Sequence, residues 1–206
     1  LRDNTGAELR ALAAATDGKS PRVHVADEDD LARLIDDFAS AAARVRDAGG
    51  DAVEIHAAHG YVLSTFLSSA DNHRTDRWGG SLENRCRLTE EVVRAVRAAA
   101  GDDLAVIVRV SGREFGGTGA LSTPEAATAA HRFETAGAHA IHVTGWGRNS
   151  FANFTDGPLP NTVGAYRSQT AAVKAAVDIP VIAVGRVLPE LAEEMLQMPV
   201  RIGIPQ

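Results

Sequence analysis

Leu104-Ala105-Val106-Ile107-Val108-Arg109-Val110 is a continuous apolar run broken by a single charge. Gly101 precedes it, and a stretch with Gly112, Gly116, Gly117 and Gly119 follows. A short apolar run bounded by turn residues reads as a strand buried on both faces, as strands are in parallel sheets. Three similar runs lie outward along the chain: Asp51-Ala-Val-Glu-Ile-His56, Ala140-Ile-His-Val143 and Pro180-Val-Ile-Ala-Val184.

Helical patterns fill the gaps. Leu31, Leu34, Ile35, Phe38, Ala42 and Val45 fall on one face at 3.6 spacing, with Asp27 or Asp29 as cap and Gly49 as stop. Ser81 caps a second helix that carries Val92, Val93 and Val96 and ends at Gly101. Thr123-Pro124 reads as cap plus first helical position of a third helix, which ends at Gly137. A fourth helix is expected over 163–177, and Pro189 opens a last one. Residues 57–80 and 144–162 read as loops, and residues 1–28 as a loop-rich lead-in.

Strand and helix thus alternate four times, which predicts an α/β fold with a parallel sheet. The units also repeat. Ala48-Gly-Gly-Asp-Ala-Val-Glu-Ile55 resembles Ala136-Gly-Ala-His-Ala-Ile-His-Val143, and Val96-Arg-Ala-Ala returns as Val173-Lys-Ala-Ala. A TIM barrel and a doubly wound sheet both fit. No G-x-G-x-x-G follows any strand, which removes the main signature of a dinucleotide-binding sheet.

Composition narrows the function classes. The 206 residues are 45% hydrophobic and 23% charged, an ordinary globular balance. The single cysteine, Cys86, excludes an intrachain disulfide framework and a zinc ribbon. The net charge of −6 and the lack of a basic stripe argue against nucleic acid as a partner. No apolar stretch approaches a membrane span, and no secretory signal is visible. A cytoplasmic protein is the expectation. The chain starts at Leu1, and residues 198–206 show neither helical nor strand period. We therefore expect a fragment, with a partial barrel over 29–197 and an aberrant tail over 198–206.

In a TIM barrel, chemistry sits at the carboxyl ends of the strands. Those ends here carry His56, His59, Tyr61, Arg109, Thr144, Gly145, Gly185 and Arg186. His56 and His59 lie three apart just past a strand and are able to aim two ring N–H groups at one oxygen, in the manner of an oxyanion hole. Tyr61 adds a phenol able to give a proton. Two other readings stay open. The histidines could bond loop backbone, or they could ligate a metal with His73 as third ligand. Arg109 needs a partner inside a sheet: an anionic or electron-rich ligand, or an internal salt bridge with Glu54. Gly185-Arg186 would let an anion approach the backbone before a helix, although tight turns use the same pair. Cys86 reads as inert packing, and His142 as a satisfied core or interface histidine. Trp146 and Arg148 fall on the loop after the third strand.

Asp51-Ala-Val-Glu-Ile-His-Ala-Ala-His-Gly-Tyr61, Phe66-Leu-Ser and Arg74-Thr-Asp-Arg-Trp-Gly-Gly-Ser-Leu-Glu-Asn-Arg85 together resemble the old yellow enzyme family. The likeness is to its bacterial branch of NADH:flavin oxidoreductases and 2,4-dienoyl-CoA reductases. Val108-Arg-Val-Ser111, Ile141-His-Val-Thr-Gly145 and Ile179-Pro-Val-Ile-Ala-Val-Gly-Arg186 agree with it.

The resemblance implies an FMN-dependent TIM barrel. Hydride would pass from NADH or NADPH through the flavin to an alkene activated by a carbonyl or similar group. It implies that His56 and His59 hold the substrate oxygen and that Tyr61 protonates the alpha carbon. Arg109 would lie beside the flavin ring, with Gly185, and more weakly Arg186, near its phosphate. No resident metal is implied by these motifs. A whole barrel takes eight strands and ~250 residues, so the four strands here correspond to about strands 4 to 7. Such an arc leaves two sheet edges unpaired, so a homo-oligomer stays open. A non-catalytic fragment is the first rival reading, and a metal-dependent barrel hydrolase is the second.

Overall fold

A computed structural model describes residues 25–115, 118–146 and 163–197. The elements run α1 (Glu28–Asp47), β1 (Ala52–Ala57), α2 (Val62–Leu67), α3 (Leu82–Ala100), β2 (Ala105–Ser111), α4 (Thr123–Thr135), β3 (Ala140–Thr144), α5 (Arg167–Lys174), β4 (Val181–Ala183) and α6 (Pro189–Leu196). All three strand pairings are parallel, and the sheet order is β1-β2-β3-β4.

That order separates the two architectures left open by sequence. A doubly wound sheet reverses its strand order at a switch point and carries helices on both faces. Among the described residues the order never reverses, and a single face is covered. Ile55, Val106, Val108, Val110, Ile141 and Val143 are buried against Val92, Val93 and Val96 of α3 and Ala126, Ala129, Ala130 and Phe133 of α4. Their strand neighbours Glu54, His56, Ile107, Arg109, Ala140 and His142 are only partly covered or exposed. Strand residues alternate between faces, so this second set forms the opposite, concave side. The fold is an arc of a TIM barrel, with helices outside and a polar row within.

Local chemistry sets the boundaries. Asp27, rather than Asp29, caps α1: its side chain accepts from Asp30 N while Asp30 accepts from Asp27 N, a reciprocal capping box. Ser81 caps α3 through Asn84 N, and Gly101 at φ 71° ends that helix. The cap of α4 is Ser122, one residue before the expected Thr123. Ser122 and Glu125 form the capping box, and Pro124 falls in the first turn. Residues 57–80 are not all loop. Val62–Leu67 is helical, and it buries Leu63, Phe66 and Leu67 completely or nearly so. Six residues are too few for a 3.6 period to show in sequence. Asn72 fastens the chain behind it, with Nδ2 donating to the carbonyls of Phe66 at 2.6 Å and Trp78 at 2.8 Å. The helix expected over 163–177 is shorter, Arg167–Lys174, preceded by turns. The lead-in before residue 25, the 198–206 tail and most of the 144–162 loop lie outside the described residues.

Candidate functional site

The strand registers place His56 beside Arg109, Arg109 beside His142, and His142 beside Ile182. One lateral row near the carboxyl ends therefore carries two histidines and an arginine. The chain then leaves β1 by a sharp turn. His59 and Gly60 are consecutive left-handed residues, at φ 62° and 73°. This geometry is costly for a histidine and free for a glycine. It folds His59 back over the strand end and brings Tyr61 to the start of α2.

The three rings cluster as the spacing suggested. The His56 and His59 centroids are 5.0 Å apart, edge to face, and His56 lies 5.1 Å from the Tyr61 ring. His59 also lies 6.3 Å from Trp146, a residue held at φ 114° at the end of β3. Tyr61 is 62% exposed, so its side chain is open to solvent beside the two imidazoles. His59 Nε2 lies 3.0 Å from Thr144 Oγ1. When Thr144 donates to Nε2, the His59 proton sits on Nδ1.

Both histidines are neutral at pH 7. Burial, followed by the positive charge of Arg109, lowers the pKa of His56 below its ordinary value. The same causes in the same order, with further help from His56 and His142, lower His59 to about 4. A neutral imidazole still offers one N–H to an oxygen.

Arg109 is the unusual member. Its Nε is buried with no hydrogen-bond partner, as are His56 Nδ1 and His142 Nε2. No ion pair to Arg109 exists among the described residues. The salt bridge expected with Glu54 is absent, because Glu54 Oε2 instead pairs with His142 Nδ1 at 2.7 Å. His142 is therefore satisfied at one nitrogen and bare at the other. Buried polar atoms of native proteins are almost always partnered. Three bare ones side by side on the concave row fit a ligand laid across the strand ends, and the permanently charged guanidinium among them suits an electron-rich or anionic one.

Gly185 and Arg186 end β4 at φ 96° and 51°. Their carbonyls accept from Ala165 N and Gly164 N, which ties the turn before α5 to this strand end. A Cβ at Gly185 would fall 2.6 Å from the Tyr166 ring, and one at Gly145 2.4 Å from it. The glycines thus make room for a buried tyrosine that wedges between the ends of β3 and β4. The sequence offered no signal for Tyr166, whose contacts come from two distant loops. Arg186 is exposed. His73 lies on an exposed loop, and among the described residues no cluster of three His, Cys, Asp or Glu side chains could hold a metal ion. Cys86 is buried, and burial pushes its thiol up to about 12, which suits packing and not nucleophilic attack. Arg148 lies outside the described residues.

A one-sided barrel arc with its polar residues gathered at the strand carboxyl ends defines a TIM-barrel protein with its site on that face. The family model described as the NADH:flavin oxidoreductase / NADH oxidase family matches residues 4–199. The chain belongs to that family, whose cofactor is FMN with NADH or NADPH as reductant. A metal reductase of Desulforamulus reducens is 44% identical over 172 residues, covering 82% of this chain and 25% of the relative. An NADH oxidase of Thermoanaerobacter brockii is 34% identical over 180 residues, covering 87% of this chain and 27% of the relative. Among solved structures, a 2-naphthoyl-CoA reductase complex superposes with a TM-score of 0.77 at 26% identity, covering 85% of this chain and 27% of that one. An old yellow enzyme homologue from Zymomonas mobilis superposes at 0.65 and 25% identity, covering 88% and 49%. The chain spans about a quarter of the length of these curated relatives. No described helix is long and apolar enough to cross a membrane.

Proposed function

We propose that this chain supplies the substrate-facing sector of an FMN-dependent reductase that delivers hydride from NADH or NADPH to an alkene conjugated to a carbonyl. The observation that carries the reading is the cluster of His56, His59 and Tyr61 against an arginine with no counter-ion. FMN would rest across Arg109 with Gly185 and Arg186 toward its phosphate, and when bound it supplies the two-electron chemistry between nicotinamide and alkene.

The protein's own part is polarisation and proton delivery. As hydride reaches the beta carbon, negative charge grows on the carbonyl oxygen. His56 and His59, each neutral, direct one N–H apiece to that oxygen. These bonds strengthen as charge develops, so they lower the barrier more than they stabilise bound substrate. Losing one such donor costs about 2.7–4 kcal/mol of barrier in comparable sites. Tyr61, exposed beside them, places its hydroxyl proton for the alpha carbon. Arg109 holds positive charge against an electron-rich ring. The domain reading belongs to the same proposal, with 29–197 as the FMN-binding sector. So do a small-molecule alkene as partner and a cytoplasmic location, where NADH and NADPH are at hand.

Phenols mimic the oxygen of such a substrate. A phenol titrated into the flavin-loaded protein should bind saturably, and His56→Ala should weaken that binding at least tenfold. It should also slow alkene reduction while leaving flavin reduction by NAD(P)H intact. Equal phenol affinity in both proteins would overturn the assignment of His56.

A further inference from the structure

Glu54 is the one carboxylate in any of the four strands. It shares the concave face with His56, Arg109 and His142. Its lateral neighbour on β2 is Ile107, so Arg109 stands one step along β2 on the same face. Strand spacing and rise put the Glu54 and Arg109 Cα atoms ~8 Å apart, against ~12 Å for Glu54 and His142. Arg109 is thus the nearer partner by backbone position, and the permanently charged one. The carboxylate nonetheless passes beside it, across β2, to His142 Nδ1 at 2.7 Å.

We infer that His142 is a positioning residue for Arg109: by engaging Glu54 it keeps the only strand carboxylate off the guanidinium, which stays uncompensated and open to the ligand. This inference rests on the flavin reading for its purpose but not for its geometry. A partly buried arginine without a counter-ion is costly, and a carboxylate within reach would ordinarily relieve it. The Glu54–His142 pair removes that relief. The groups lie within one field: after burial, the charge of Arg109 acts against protonation of His56, and Glu54 acts for it. Deleting His142 frees Glu54 to swing to Arg109. The guanidinium would then be neutralised from within, and a bound anion or electron-rich ring would lose its partner.

The test compares His142→Ala, the double variant Glu54→Gln/His142→Ala, and His142→Gln, whose amide is still able to donate to Glu54. FMN affinity is read by fluorescence quenching. Hydrogen bonds to charged groups are strong enough to set a change of about tenfold or more. His142→Ala should weaken FMN binding by about that factor, and the double variant and His142→Gln should restore it. The second readout needs no flavin. In the apo-protein, the Arg109 Nε–H resonance should shift and exchange more slowly with water in His142→Ala, and should return in the double variant. A double variant as weak as His142→Ala, with Arg109 unmoved, would show that His142 merely fills space and would overturn the inference. Should the unsubstituted protein take up no FMN, the flavin reading fails, and the Arg109 resonance alone decides the inference.

Discussion

The two faces of β1–β3 share a backbone and differ in almost everything else. The outer face, Ile55, Val106, Val108, Val110, Ile141 and Val143, is sealed under α3 and α4. The concave face, Glu54, His56, Arg109 and His142, carries one carboxylate–imidazole hydrogen bond and three buried polar atoms with no partner. Burial of apolar area stabilises the first face. The second adds little stability and keeps groups unsatisfied, as sites poised for a ligand do. Apolar packing and unsatisfied polar groups thus fall on alternate residues of the same strands.

The largest effects should divide along that line. Phe133→Ala, in a fully buried side chain of α4, should cost about 3–5 kcal/mol in urea unfolding. Arg109→Met on the other face should leave the midpoint unchanged or raise it, because it removes a partly buried charge without a partner. A large loss in Arg109→Met would break the division. At the margin between the faces, Gly185→Ala forces a Cβ to within 2.6 Å of Tyr166 at φ 96°. A cost of about 1–3 kcal/mol is expected by the same unfolding assay. No cost would mean that Tyr166 does not wedge the strand ends.

The concave face should also reveal itself through pH. His59 has a folded pKa of about 4 against an ordinary 6.5, so the unfolded chain binds the proton more readily between these values. The His59 contribution to stability should fall as pH drops from 6.5 toward 4 and level off below, and His56 should add to the slope in the same direction. His59→Gln should flatten the slope of unfolding midpoint against pH. An unchanged slope would place the titrating group elsewhere. The smallest effect lies far from the site: Ser122→Ala should cost ~1 kcal/mol and Thr123→Ala much less, since Ser122 is the cap.

The same contrast explains what was legible in the sequence. The outer face is periodic, and Leu104–Val110 alone declared a buried parallel strand. Helix stops at Gly49 and Gly101 were legible for a similar reason, since the left-handed backbone there suits glycine. The one-residue shift to Ser122 arose because Ser and Thr both cap well and only backbone geometry chooses between them. On the concave face, the identities of His56, His59, Tyr61 and Arg109 were visible but their pairings were not. Glu54 and His142 are 88 residues apart, and no local pattern announces that the carboxylate bypasses Arg109. Tyr166 was missed for the same reason, because its partners Gly145 and Gly185 belong to two other strand ends.

Titrating FMN into the purified protein and into Arg109→Met tests most directly whether the open row around Arg109 holds the flavin. We predict saturable quenching of flavin fluorescence by the unsubstituted protein, and binding weakened at least tenfold in Arg109→Met, whose fold remains intact by circular dichroism. Equal affinity in the two proteins, or no binding by either, would contradict it.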